Sequence, residues 1–271
     1  MKTLLSLYRD ARNIQIIYLS TFLSYGMIQL EWEISFLKII LVVGSSALTQ
    51  LLWLYIANKK PDAIKSGIIT GLGLCLLLKS TSTLTMVVAA VLAISSKFTL
   101  RIKNKHLFNP ANFGIVVAVL LFDDAWISPG QWGSNAIFLF VLIVLGGVIL
   151  HHIGRLETSL VFLGSLFLME YTRTVLYQGW EMDVLAHKFS SGTLLLFSFF
   201  MITDPMTIPN AKKSRIIWAL ILAGSTFFLT NWMQIYTAPM WILFAMTPLT
   251  VLLDKIYPEI KYEWKTNSTN L

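Results

Sequence analysis

The sequence predicts an all-α membrane protein: one polytopic domain of about ten transmembrane helices, built as two inverted repeats of five. Three observations carry this expectation. Of the 271 residues, 56% are apolar and 13% charged, and the mean hydropathy is +0.69. A soluble domain has about a quarter charged residues, which it needs because its surface must face water. Apolar runs recur ten times along the chain, and basic residues fall in every second loop. An ordinary soluble enzyme, a disordered chain and a nucleic-acid binder are thereby excluded, since the net charge of +7 is split into loop clusters and does not form one basic face.

The lead-in, with Lys2, Arg9 and Arg12, has too short an apolar stretch for a cleaved signal. Spans follow near 14–30, 35–57, 66–79, 83–100, 110–122, 135–152, 157–171, 189–204, 215–231 and 239–254. A helix needs about 20 apolar residues to cross the hydrocarbon. The third, fifth and eighth runs fall short, so each tilts or ends partway against a cavity. Polar residues from 257 to 271 form a tail.

The loops orient these spans. One side collects Lys2, Arg9 and Arg12, Lys59, Lys60 and Lys65, Lys97, Arg101, Lys103 and Lys105, Arg155, Lys212, Lys213 and Arg215, and Lys255, Lys261 and Lys265. Only Lys38, Lys79, Arg173 and Lys188 fall on the other, with Glu31, Glu33, Asp123, Asp124, Glu170, Glu181 and Asp183. Both termini are therefore expected in the cytoplasm. Aromatic residues where runs end (Trp32, Trp53, Tyr55, Trp126, Trp132, Trp180, Trp218, Trp232, Trp241) read as the interfacial belt. Cys75, the single cysteine, sits in an apolar run as a buried thiol.

Ten spans divide into two fives, 1–130 and 131–256. Ser66-Gly67 and Ser191-Gly192 open the third and eighth spans, and Pro110 and Pro239 precede the fifth and tenth. Five is odd, so the second copy is inverted, an arrangement that places sites near the midplane beside short helices.

Two stretches break the apolar pattern: Phe108-Asn109-Pro110-Ala111-Asn112-Phe113-Gly114, and Ser191-Gly192-Thr193 followed by Met201-Ile202-Thr203-Asp204-Pro205. In the simpler reading Asn109 caps a helix, Pro110 fills its first turn, and Thr203-Asp204-Pro205 ends another. In the sharper one Asn109, Asn112, Thr203 and Asp204 converge on a planar polar ligand such as the imide edge of an isoalloxazine. Arg101, Lys103 or Lys105 then balance a phosphate or an anionic flavin. Two weaker constellations are a Glu170–Arg173 pair one helical turn apart and a solvated Asp123-Asp124. The four histidines do not form a convincing haem pair: His151 and His152 are adjacent, and His187 lies on the opposite side from the other three. No Walker loop, GxGxxG motif or nucleophile triad is present, so hydrolysis and group transfer have no support.

The two stretches resemble the signatures of the RnfD/NqrB family, the flavin-carrying membrane components of the Rnf electron-transport complex and of the Na⁺-translocating NADH:quinone oxidoreductase. The resemblance implies a five-plus-five fold similar to urea and ammonium channels, in the bacterial inner membrane. It implies a bound flavin and electron passage across the membrane, with Asn109, Pro110, Asn112, Phe113, Gly192, Thr193, Thr203, Asp204, Pro205, Arg101 and Lys105 as the flavin-binding set. The family esterifies FMN to the threonine of Ser-Gly-Ala-Thr, a sequence absent from this chain, so riboflavin or FMN is expected to bind non-covalently. Without NADH or cluster motifs of its own, the chain is expected to need other membrane and peripheral redox proteins, among them an extracytoplasmic flavin- or haem-carrying protein. The competing reading is a small-solute or flavin channel or transporter of the same fold.

Overall fold

The computed structural model describes residues 10–32, 34–59, 63–103, 105–128 and 136–262. Lys2, Arg9, Glu33, Lys60, Trp132, Lys265 and the tail from 263 onward lie outside them.

Each of the ten apolar runs falls on a helix: α1 (Ala11–Gln29), α2 (Phe36–Ile56), α3 (Ile64–Leu77), α4 (Thr83–Thr99), α5 (Pro110–Leu121), α6 (Ala136–Ile153), α7 (Leu156–Tyr171), α9 (Gly192–Leu196), α10 (Lys212–Asn231) and α11 (Ala238–Ala245) with α12 (Thr247–Ile256). A short helix, α8 (Met182–Phe189), precedes α9, and π-helical turns extend α7 over Thr172–Tyr177 and α9 over Phe197–Met201. Among the described residues, three helices are long and apolar enough to cross a membrane: α2, α7 with its π turn, and α10. The pairs α8/α9 and α11/α12, bent by 54° and 48°, make up to five, and α3, α4, α5 and α6 add shorter apolar helices. The chain is a multi-pass all-α membrane protein.

The tenth run is broken, which its apolar composition conceals. Pro248 has no N–H for the preceding turn, so α11 stops at Ala245 and α12 restarts at Thr247. The Ser-Gly pairs also hold unequal places, because Ser66 lies inside α3 whereas Ser191 is the N-cap of α9, accepting from the Leu194 N–H.

The described residues form two compact units. The first holds those up to His106, Phe113–Ser128 and Lys261–Tyr262; the second holds Leu107–Asn112 and those from 136 to Ile260.

In the first unit Asp10 caps α1 and binds Arg12, while Lys65 of α3 donates to the same carboxylate at 2.8 Å. Helices α2 and α3 approach closely through glycine. A Cβ on Gly67 would lie 2.9 Å from Cβ of Gln50, and one on Gly71 2.9 Å from Cα of Val43. Gly71→Val therefore forces the helices apart and is expected to cost about 1–3 kcal/mol, measurable as a lower unfolding midpoint in detergent. Gly44, with nothing within 4 Å, is the control: Gly44→Ala leaves the midpoint unchanged or raises it.

Because α3 ends at Leu77, its backbone needs partners elsewhere. The chain runs on as β1 (Leu78–Ser80), antiparallel to β4 (Ala125–Ile127) with Leu78 opposite Ile127. Strands β2 (Arg101–Ile102) and β3 (Lys105–His106) pair after α4. These strands, of two or three residues, depart from a purely helical expectation.

Asp124 also departs from it, because it is not simply solvated. It accepts from Ser80 Oγ (2.6 Å), the Ser82 N–H (2.9 Å), Thr85 Oγ1 (2.9 Å) and Thr81 Oγ1 (3.3 Å), and so ties both strands to the start of α4. These hydrogen bonds, that of Ser80 foremost, lower its pKa to about 2. A carboxyl depressed in the folded state contributes stability above its unfolded pKa of about 4 and loses it as pH falls toward 2. Fluorescence of the adjacent Trp126 is expected to change over that window, and the component to vanish in Asp124→Asn.

Lys97 departs from its reading as a loop charge. It is 3% exposed, and its ammonium donates to Gln50 Oε1 (2.9 Å) and Ser66 Oγ (2.7 Å).

In the second unit α7 packs on α10 and α6. Glu157 and Arg215 join one end of the α7–α10 pair, and Glu170 and Asn231 the other, so the two helices run parallel. A Cβ on Gly146 of α6 would meet the Phe199 ring at 2.6 Å.

Candidate functional site

The Asn-Pro and Asp-Pro corners meet within the second unit. Asn109 is the N-cap of α5, its Oδ1 accepting from the Asn112 N–H at 3.1 Å. Pro110, without an N–H, costs nothing in the first turn. The Asn109 amide nitrogen points across the chain, reaching the Met201 carbonyl at 3.4 Å and Asp204 Oδ2 at 3.5 Å, loose contacts at the long end of hydrogen bonding.

The Asp204 corner is closed on itself. Its Oδ1 accepts from the Met206 N–H (3.0 Å), and its carbonyl accepts from the Thr207 and Ile208 N–H groups, an Asx turn that leads the chain out of the π turn. Pro205 is buried within that turn. Thr203 bonds back to the Phe199 carbonyl at 2.5 Å, so its hydroxyl proton is committed to the helix.

Asn112 is the most enclosed of the set, 1% exposed. Its amide nitrogen donates to the Met240 carbonyl at 2.9 Å and lies 3.6 Å from Met240 Sδ. Because a carbonyl can only accept, this bond fixes which side-chain atom is nitrogen. The other atom, Oδ1, is buried and has no protein partner. A buried amide oxygen without a donor costs about 1–3 kcal/mol. Phe108 stacks on Phe244, centroids 4.6 Å apart, beside the same helix.

The remaining expected residues do not all join this cluster. Gly192 and Thr193 open α9, and the helix and its π turn run on to Met201. Ten residues at about 1.5 Å each put them roughly 15 Å from the Asp204 corner, too far to share one edge of a ring with it. Phe113, Arg101 and Lys105 belong to the first unit. There Arg101 lies over the Phe98 ring at 6.0 Å and Lys105 is buried on β3. His106 is half-buried, its Nδ1 facing the Lys97 carbonyl, and the loss of solvent around it, with nearby Lys97 and Arg101, lowers its pKa to about 3.

Sequence reasoning missed Met240, Met201 and Phe244. Met201 and Met240 approach the asparagines over 92 and 128 positions, Phe244 stacks on Phe108, and the local hint is Pro239, which sets the start of α11. It also mispaired Glu170, whose partners are Lys188 and Asn231, whereas Arg173 binds Gln178 and lies over Trp232. Glu170 and Arg173 are close in sequence, but packing of α8 and α10 against α7 supplies nearer groups.

Residues 126–262 match the model of the NQR2, RnfD, RnfE family. The match includes the Asp204-Pro205 corner and begins after the Asn109-Pro110 one. No curated protein matches the chain.

Proposed function

The chain belongs to the NQR2, RnfD, RnfE family, and on that premise we propose that it is a membrane component of an Rnf- or Nqr-type complex that carries electrons on a non-covalently bound flavin, riboflavin or FMN. Ten spans in two halves of opposite topology, both termini cytoplasmic in a bacterial inner membrane, complete the proposal.

The observation that supports flavin is the open acceptor on Asn112. An N–H or O–H donor satisfies Oδ1, so a ligand that binds against Asn112 brings one, the amide nitrogen being already committed to Met240. The isoalloxazine imide is planar and presents one N–H between two carbonyls, so the residues fit it. A quinone ring has no such donor. When bound, a flavin supplies one- and two-electron exchange, while the protein sets its position and potential.

The chain's own part is positional. Asn112 accepts from the ring edge, Asn109 holds the start of α5 and reaches Asp204, and the Asp204 turn keeps Pro205 and the end of the π turn in place. Of the residues expected from the sequence, Gly192 and Thr193 suit only a ligand as long as a flavin with its ribityl chain. Other membrane or peripheral proteins of the complex would supply the redox groups that exchange electrons with it, since the sequence has no motif for NADH or clusters.

The test is the visible spectrum of the purified protein. A flavin band that bleaches with dithionite, and a flavin released intact by denaturation, are expected. A colourless, folded preparation that takes up no added flavin overturns the proposal and favours the channel reading.

A further inference from the structure

Glu170 lies near the end of α7 with its side chain 1% exposed. Lys188 of α8 donates to its Oε1 at 2.5 Å, and Asn231 of α10 donates to the same oxygen at 2.8 Å. Its other oxygen, Oε2, is buried with no protein partner. A carboxyl group satisfied on one oxygen alone is costly in a membrane interior.

It is not isolated. Thr226 Oγ1 on α10, and Thr158 Oγ1, Ser159 Oγ, Ser214 Oγ and Trp218 Nε1 toward the other end, are also buried without partners, so six of the ten such atoms among the described residues lie on the α7–α10 pair. Thr70 and Ser198, on other helices, instead bond back to the Ser66 and Leu194 carbonyls of their own helices. Native proteins leave few buried polar atoms unpaired, and ordered water is their usual partner. Buried Phe162, Leu166 and Leu222 interrupt the seam midway. Glu170 is thus reached from the end where Lys188 is about a third exposed.

We propose that Glu170 is a proton-binding site of the second unit, with Oε2 as the atom that takes the proton. An O–H bond forms at Oε2 as one breaks on the adjoining water, which regains a proton from the next water toward the aqueous phase. Oε1 still accepts from Lys188 and from Asn231. The charged or titratable groups on elements packed against α7 are Lys188, His187 and Asp183 on α8, Arg173 and Tyr177 on the π turn, His151 and His152 on α6 and Lys212, Lys213 and Arg215 on α10. Of these only Lys188 bonds Glu170. This proposal stands apart from flavin binding.

Infrared difference spectra of the intact protein between acid and alkaline pH test it. A protonated-carboxyl C=O band is expected, lost in Glu170→Gln, which keeps an acceptor for Lys188 and Asn231 and keeps its bound flavin. A hydrophobic carbodiimide, which adds to protonated buried carboxyls, is expected to label Glu170 of the native protein at least several-fold more at low pH than at high pH. The native protein carries this second arm even if the variant fails to fold. An unchanged band in Glu170→Gln, labelling that ignores pH, or a band that answers sodium at fixed pH and not protons, overturns the proposal.

Discussion

Asn112→Leu is expected to weaken flavin binding by about 10–100-fold while the protein stays folded. The leucine removes the buried acceptor at Oδ1 that the ligand's N–H would meet, a loss of about 1–3 kcal/mol, and 1.4 kcal/mol is tenfold in affinity. The fold survives because the Asn109 cap uses the backbone N–H of residue 112, which the substitution retains. Asn112→Asp separates the two functions of the side chain. It keeps an acceptor for the ligand but loses the donor to Met240, placing a carboxylate against a carbonyl, so stability falls in that variant too. Flavin content per chain, measured beside the unfolding midpoint, distinguishes the two variants.

Arg215→Leu is expected to be the most destabilising single change in the second unit. The guanidinium is buried, bonds Glu157 through Nε and Nη2, and donates to the Asn210 carbonyl through Nη1. The Asn210 N–H is in turn held by Asp254 of α12 at 2.7 Å. Arg215 thus ties α7, α10, α12 and the end of the Asp-Pro loop together. Removing it leaves a mostly buried carboxylate and a carbonyl without their donors, a loss of about 3 kcal/mol. Glu157→Gln, which keeps a neutral acceptor, is expected to lose much less. Thermal unfolding in detergent measures both.

The parts of the fold visible in the sequence were those set by desolvation. Apolar runs had to become helices because a backbone in hydrocarbon has no other partner, and each run did. The Asn109-Pro110 start of α5 was legible because capping is local: the residues that make it lie within four positions. Departures came where a distant group decided. Asp124 looked solvated until β1 and the start of α4 brought it four donors. Lys97 matched a loop charge, yet Gln50 and Ser66, from two other helices, supply the acceptors that allow its burial. Helix α8 is eight residues long and carries Asp183, His187 and Lys188, too short and too polar for a hydropathy pattern to mark. The candidate site was half visible: both asparagines and the aspartate were singled out, but Met240 lies 128 positions from Asn112 and no spacing rule connects them.

One measurement reaches the central claim, that Asn112 Oδ1 receives the imide N–H of a bound isoalloxazine. Flavin-free protein is titrated with riboflavin and with its N3-methyl analogue, which lacks only that N–H. The native protein is predicted to bind riboflavin at least tenfold more tightly, and the preference to disappear in Asn112→Leu. Equal affinity of the native protein for the two ligands would contradict the account.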